Sequence, residues 1–285
     1  MDRPSEFPPV PDQAIGLWRR EVKEMEDGSA DRTTRVFYGQ TRNLFVDIRI
    51  PIDRPATPPG HGFGIYSLED LARLAKQQAF AGHAVIADGR CTWHRSIDYQ
   101  PSTGRPDSSL VSVEGDTLHE RGDANSVTGM NFYESYHREC RGEERRLAFR
   151  LEDSDGTPFG DRAARDAFLL VLDDRFWFAR ARARNLGTGK SLPDLVKGAD
   201  GDRATIEACL DCEVSFGRLG KDEDAWRIEL STLPWREGER LFPQGQANLE
   251  ADSGLMRLDT PAGCATWRVF DTSLKDDAIG ALFSA

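Results

Sequence analysis

Three neighbouring segments in the first half of the chain alternate between apolar and polar residues. They are residues 91–99, 117–121 and 130–137. Alternation with a period of two is typical of strands with one buried face, because successive strand side chains point to opposite sides. We predict that all three segments are strands and that their apolar phases face the same interior.

Charged residues interrupt these apolar phases. Arg95 shares its phase with Trp93, and Glu120 and Glu134 also occur among apolar residues. A charge on a buried face is costly unless it is paired. Because arginine prefers a carboxylate partner that accepts two hydrogen bonds, we expect Arg95 to pair with Glu134 or Glu120 inside the barrel.

Two interpretations of these charges remain open. In the first, they form a structural ion pair at the barrel mouth. In the second, Arg95 binds a ligand carboxylate or enolate, and Glu134, with a raised pKa, acts as a general acid or base. Glu120 is a further candidate catalytic residue. The apolar wall would then consist of Trp93, Phe132 and Tyr136.

The polar phases of the same strands carry His94, His119 and His137. On adjacent strands three histidines can converge on a metal ion. Their phase neighbours are polar, which is typical of a solvent-facing surface, so we predict no bound metal and no cofactor. Asp98 follows closely enough to orient His94, which makes His94 a candidate catalytic residue. We count Asp98, His119 and His137 as candidate ligand-binding residues.

The remaining strand patterns predict an all-β fold. Strand-like runs recur about every ten residues with turn residues between them, which is typical of antiparallel meanders in barrels and sandwiches. We predict a flexible N-terminal arm at residues 1–14, an N-terminal barrel with a ligand pocket at 15–152, and a mainly structural C-terminal barrel at 165–285. Short helical inserts are expected near 67–75 and 192–209.

One short segment invites a different interpretation. Residues 187–191, Gly-Thr-Gly-Lys-Ser, resemble the end of a phosphate-binding loop. The full motif needs a glycine where Arg184 stands, and no buried parallel strand leads into the segment. We therefore predict an ordinary loop.

Composition narrows the classes of partner and the location. The net charge of −11 opposes a nucleic-acid surface and an anionic membrane. No apolar run approaches the roughly 20 residues that span a bilayer. The polar, proline-rich N-terminus and the odd number of cysteines, five, favour a reducing, cytoplasmic location. A homodimer is compatible with this composition.

The layout and a set of short motifs resemble a calycin-type family with two lipocalin-like barrels in tandem. One branch is a fungal kinase-interacting protein, and the bacterial relatives are mostly uncharacterised. The resemblance implies two cupped antiparallel barrels and transfers no catalytic residues. Lipocalin-like barrels bind small apolar ligands or act as isomerases, cyclases and decarboxylases. The residues that carry the resemblance are Trp93, Asp98, Glu120, Gly122, Tyr133, Glu134 and Tyr136.

These observations lead to two expected functions. The first is metal-independent acid–base chemistry, of the lyase, decarboxylase or isomerase type, on a small aromatic or apolar carbonyl or carboxylate compound held in the N-terminal barrel. The alternative is a non-catalytic module that binds a ligand or another protein.

Overall fold

A computed structural model describes residues 7–154, 166–221, 224–242, 246–250, 254–260 and 263–283. The first six residues of the predicted arm and most of the predicted linker lie outside this description. The described chain is all-β, with two antiparallel sheets and four α-helices. None of these helices is long and apolar enough to cross a membrane.

The first sheet closes into a barrel. Eight strands follow one another in antiparallel order, and the first of them pairs with the last. A further strand of only two residues, Ala30–Asp31, pairs with the first strand outside the barrel. Helix α1 (Leu68–Leu74) lies between β4 and β5. The strands are β1 (Gly16–Met25), β2 (Ala30–Asp31), β3 (Arg35–Gln40), β4 (Leu44–Ile50), β5 (Gln78–Ala87), β6 (Arg90–Asp98), β7 (Ser108–Glu114), β8 (Thr117–Gly122) and β9 (Phe132–Cys140).

The N-terminal segment closes one end of this barrel. Trp18 is fully buried, and its indole N–H donates to the Ala14 carbonyl at 2.9 Å. The guanidinium of Arg138 lies 4.2 Å from the centre of the Trp18 ring and donates to the Ile15 carbonyl at 3.0 Å. Val10 is also buried. A cation over an aromatic face, with its donors on backbone oxygens, ties the first strand to the last.

A β-bulge bends β6 near the middle of the barrel wall. Ala81 pairs with Ile97, but the next residue, Gly82, pairs with Arg95, which leaves Ser96 as the extra residue. A bulge of this kind shifts the alternation of side chains by one position. Trp93 and Arg95 therefore face the barrel interior before the bulge, and Asp98, which is three residues after Arg95, faces it after the bulge.

The second half forms an open sheet of eight strands in the order β14-β13-β12-β11-β10-β17-β16-β15. Its edge strands β14 and β15 do not pair with each other in the described residues, so the second closed barrel that we predicted is not shown. The elements are β10 (Arg146–Ser154), β11 (Ala167–Leu172), β12 (Arg175–Arg180), α2 (Leu192–Gly198), α3 (Arg203–Leu210), β13 (Glu213–Arg218), β14 (Arg227–Ser231), β15 (Gln246–Glu250), β16 (Leu255–Thr260), β17 (Gly263–Thr272) and α4 (Asp276–Phe283).

The division between the sheets precedes the predicted boundary at residue 152. That residue lies inside β10, which pairs with β11 and β17 of the second sheet. The chain therefore passes from the barrel to the open sheet between Cys140 and Arg146.

The barrel and the open sheet share a hydrophobic core. Strand β4 packs against β11, β12 and β13. Phe37 stacks on Phe216 with ring centres 4.4 Å apart, and the Trp177 indole N–H donates to the Phe37 carbonyl at 3.3 Å. The indole lies so close to Gly39 that a Cβ there would come within 2.9 Å of it. This packing places the outer face of β3 and β4 under the second sheet.

Candidate functional site

The barrel encloses a cavity of about 1250 Å³. A space of this size accommodates a drug-sized molecule, and most of its wall is apolar, as is usual for ligand pockets. The apolar wall consists of Phe80, Ile86, Trp93, Val111, Val113, Leu118 and Phe132.

Eight of the ten candidate site residues line this cavity; His119 and His137 do not. Trp93 and Arg95 lie on β6 and Glu120 lies on β8, and they meet at the cavity because they share the interior phase. The eight residues are Trp93, His94, Arg95, Asp98, Glu120, Phe132, Glu134 and Tyr136.

The three histidines do not converge. His94 borders the cavity, but its exposed ring stacks on Phe7 with centres 4.5 Å apart. The Nδ1 atom of His119 lies 2.7 Å from the Tyr133 hydroxyl. His137 is exposed. No group of three side chains suited to hold a metal ion occurs in the described part of the chain.

Arg95 pairs with two aspartates and not with a glutamate, so the predicted Arg95–Glu134 or Arg95–Glu120 pair is wrong. It donates to Asp98 at 3.0 Å and to Asp107 through two nitrogens, with the Nε contact at 2.9 Å. Its guanidinium lies 3.6 Å from the centre of the Phe80 ring. The bulge at Ser96 explains the difference, since it turns Asp98 to the cavity side.

Glu134 is fully buried at the centre of a cationic cluster. It accepts a hydrogen bond from Lys23 at 2.7 Å and from the Tyr136 hydroxyl, and Arg49 and Arg20 lie 3.4 and 3.6 Å away. Burial alone would raise the pKa of Glu134, but Arg49, Lys23 and Arg20 together lower it to about 2. The raised pKa that we predicted for Glu134 is therefore wrong.

Arg49 also binds a second buried carboxylate. Its donors reach Asp47 at 2.9 to 3.2 Å and the Tyr136 hydroxyl at 3.3 Å. Burial raises the pKa of Asp47, while Arg49 opposes that effect. Both residues lie on β4, whose charged phase faces the cavity because its apolar phase packs under the second sheet. The sequence showed this alternation, but not which face is inside.

Glu120 is the buried carboxyl that lacks a cation. It lies opposite Glu134 in the β8–β9 pairing, lines the cavity, and forms no ion pair in the described chain. Burial raises the pKa of Glu120 to about 8, and the negative charge of Glu134 acts in the same direction, while Arg49 opposes both. At pH 7 Glu120 is therefore mostly neutral and able to donate a hydrogen bond into the cavity.

A buried tyrosine holds the indole of the apolar wall in place. The Trp93 N–H donates to the Tyr38 hydroxyl at 3.2 Å, and that hydroxyl donates to Gln40. Tyr38 also lines the cavity. This chain of donors fixes the ring plane of Trp93, so the wall is rigid at this point.

Residues from both halves of the chain line the cavity. The loop between β6 and β7, residues 99–107, contributes Pro101, Ser102 and Arg105. The segment 187–193 before and at the start of α2 contributes Gly189, Lys190, Ser191 and Pro193. We refer to this part of the wall, where those two loops meet, as the mouth.

No protein-family model, curated protein or solved structure matches this sequence. The closed eight-stranded antiparallel barrel is consistent with a calycin-like fold.

Proposed function

We propose that the barrel binds a small apolar or aromatic carbonyl compound and acts on it by metal-independent acid–base chemistry. The observation that carries this proposal is the pair of facing glutamates in one cavity, Glu120 with a pKa raised to about 8 and Glu134 with a pKa lowered to about 2. Two carboxyls with pKa values driven apart by their surroundings are a recurrent basis for acid–base catalysis.

In this proposal Glu120 is the catalytic residue. A group with a pKa near the working pH exchanges protons efficiently in both directions. Glu120 would donate its proton to the ligand and recover one from it, which suits an isomerisation or a lyase step that passes through an enol. The apolar wall would hold the body of the ligand, with Trp93 and Phe132 against its flat faces.

Glu134 is then a positioning residue. Its charge helps to keep Glu120 protonated, and Lys23, Arg49 and Tyr136 hold it in place. The side-chain donors of Arg95 are also occupied, because they form hydrogen bonds with Asp98 and Asp107. We therefore assign neither residue to direct contact with the reacting atoms.

One observation favours the alternative, a non-catalytic binding pocket. Among the described residues that line the cavity, the carboxylates other than Glu120 are each paired with a cation: Asp47 with Arg49, Glu134 with Lys23 and Arg49, Asp98 and Asp107 with Arg95. Among the described residues of the wall, no second carboxylate is therefore free to complete a proton relay. In that case Glu120 would serve only as a hydrogen-bond donor to the ligand.

We also propose that the chain is a divergent relative of the calycin-type proteins and that it works in the cytoplasm. The closed barrel supports the first proposal. All five cysteines are free thiols, which suits a reducing compartment and supports the second.

Proton exchange gives a direct test of the enzymatic proposal. We would incubate the protein in D₂O with a panel of small aromatic ketones and unsaturated carbonyl compounds and follow loss of the α-proton signals by NMR. Wild type should catalyse exchange in at least one compound, and Glu120→Gln should slow it about 10²–10⁴-fold while still binding that compound. Glu114→Gln, an exposed substitution on β7, is the matched control.

The possible outcomes separate the two functions. Binding without any exchange above the Glu120→Gln background would favour the non-catalytic pocket. Absence of binding across the panel, together with no thermal shift, would count against a pocket for this class of ligand.

A further inference from the structure

We infer that the ligand of this cavity carries an anionic group and that this group lies at the mouth, among Lys76, Arg105 and Lys190. The inference rests on the proposed pocket and adds the charge and orientation of the ligand. All three cations line the cavity and are exposed. Lys76 lies beside the loop of residues 99–107, because the Gln100 side chain donates to the carbonyls of Ala75 and Gln77 on either side of it.

Lys190 reaches the mouth because the second half of the chain is tied to the barrel there. Ser102 and Thr188 form a parallel β-bridge between the two segments. The Leu192 N–H donates to the Gln100 side-chain oxygen at 3.3 Å. These two contacts flank Lys190 on both sides along the chain. The loop at 187–191 is thus an ordinary loop with a defined position over the barrel.

Arg105 is held in place by a neighbouring loop. Its guanidinium donates to the Ala124 carbonyl at 2.6 Å and packs against Gly129, where a Cβ would come within 2.7 Å of it. Arg105 therefore links the β6–β7 loop to the β8–β9 loop. Its guanidinium donates to a backbone oxygen, and no carboxylate of the described residues forms an ion pair with it.

The acids near the mouth are already engaged. Asp98 and Asp107 both pair with Arg95. Asp194 accepts hydrogen bonds from Ser191, and these bonds, with the charges of Lys197 and Lys190, lower its pKa, so Asp194 offsets only part of the charge of Lys190. The mouth is therefore a cationic patch on a protein whose net charge is −11. Such a patch attracts an organic anion that the rest of the surface repels.

The facing glutamates on β8 and β9, which line the cavity outside the two mouth loops, set the orientation. Glu134 is ionised there and already satisfied by cations, so a second anion would be repelled. Glu120 is neutral and offers a donor to an uncharged oxygen. A ligand with a carbonyl at one end and an acid group at the other would place the carbonyl inward and the acid group at the mouth. Anion recognition thus belongs to these three cations and not to Arg95.

Two fluorescent probes that share one skeleton test this assignment. Anilinonaphthalene sulfonate is anionic, and N-phenylnaphthylamine lacks the sulfonate. Wild type should bind the anionic probe more tightly, and the difference should shrink as salt is raised. The triple variant Lys76→Gln, Arg105→Gln, Lys190→Gln should lose about threefold to tenfold in affinity for the sulfonate and keep its affinity for the neutral probe.

Two control variants make the outcomes distinguishable. Lys197→Gln removes an exposed charge on α2 that does not line the cavity and should change neither affinity. Val113→Trp fills the cavity, and with its fold checked by circular dichroism it should abolish binding of both probes. If neither probe binds wild type, the proposed pocket itself fails. If both bind wild type and the triple variant alike, the pocket stands and the anionic group at the mouth is refuted.

Discussion

Glu120 and Glu134 differ in protonation although they are the same residue type on adjacent strands. Glu134 has three cations within 3.6 Å, and Glu120 forms no ion pair in the described chain. Burial raises the pKa of both carboxyls, so the cations alone reverse its direction for Glu134. The Glu134 charge then raises the pKa of Glu120 further. The arrangement of cations therefore decides which carboxyl carries a proton at pH 7.

This difference predicts that substituting Glu120 and substituting Glu134 change the free energy of unfolding in opposite directions at neutral to high pH. The pKa of Glu120 rises from 4.5 to about 8 on folding, so the folded protein holds its proton more tightly and stability falls as pH rises from 4.5 to 8. Glu120→Gln removes that cost. We expect the variant to match wild type at pH 4 and to exceed its free energy of unfolding by roughly 2–4 kcal/mol at pH 9. Denaturant unfolding at several pH values measures the free energies of unfolding of wild type and variant.

Glu134→Gln should lower the stability of the protein, whereas Glu120→Gln should raise it. The lowered pKa of Glu134 means that its stabilising contribution is complete above pH 4.5 and is lost as pH falls toward 2. Replacing it leaves Lys23, Arg20 and Arg49 without their shared carboxylate, and we expect a loss of about 3–5 kcal/mol at pH 7. Glu114→Gln should change little. Equal losses for Glu120→Gln and Glu134→Gln would contradict the assignment.

Sequence alternation placed both glutamates inside but left their pKa values undetermined. The cations around Glu134 come from β1 and β4, about 85 to 114 residues earlier in the chain. No local pattern links such distant positions. The expectation of a raised pKa for Glu134 failed for this reason, and the positions of Lys23 and Arg49 make Glu120 the stronger candidate.

Strand β4 shows why an alternating pattern identifies a strand without telling which of its faces lies inside the barrel. Its apolar phase, which includes Leu44 and Ile48, is fully buried under the second sheet, and its charged phase faces the cavity. In a barrel covered by another sheet, both faces of a strand are buried, so apolar side chains do not mark the interior. The bulge at Ser96 likewise could not be predicted from the residues of β6, and Gly82 on the opposite strand is the one residue that points to it.

Gly82 is the residue that permits this bulge. A Cβ at Gly82 would come within 1.9 Å of the His94 carbonyl oxygen and 3.0 Å of the Ser96 nitrogen. Both are backbone atoms, so rotation of a side chain gives no relief. We expect Gly82→Ala to destabilise the protein by more than about 3 kcal/mol, measured from the midpoint of denaturant unfolding.

A second glycine serves as the control for this prediction. Gly198 ends α2, is exposed, and has open space where a Cβ would lie. Gly198→Ala should be neutral or stabilise by up to about 1 kcal/mol, the usual difference between these residues in a helix. A Gly82→Ala variant as stable as wild type would mean that the bulge does not depend on this close approach.

At the scale of the whole molecule, the second sheet is covered on both faces. Residues 167–172, Ala-Phe-Leu-Leu-Val-Leu, form β11 and are all buried. Alternate residues pack toward the barrel with Trp177 and away from it with Trp226. A continuous apolar run of this kind indicates burial on two sides and differs from the alternation of a solvent-covered barrel. The prediction of a second separate barrel assumed strands with one solvent-covered face, and β11 has none.

Shared packing of this kind predicts that the two sheets unfold together. Trp177 is fully buried between Gly39 and Phe216. Trp177→Ala should cost about 3–5 kcal/mol. Hydrogen exchange followed by mass spectrometry should then show faster exchange in β11 and β12 and, to a similar degree, in β8 and β9 on the barrel.

Trp226→Ala is the matched variant, because Trp226 is buried on the far face of the second sheet against Phe283 of α4, in a core without barrel residues. It should loosen α4 and the second sheet more than β8 and β9. If Trp177→Ala instead speeds exchange only in the second sheet and leaves β8 and β9 at wild-type rates, the barrel folds independently. In that case the interface at Gly39 positions the mouth segment at residues 187–193 without stabilising the cavity beneath it.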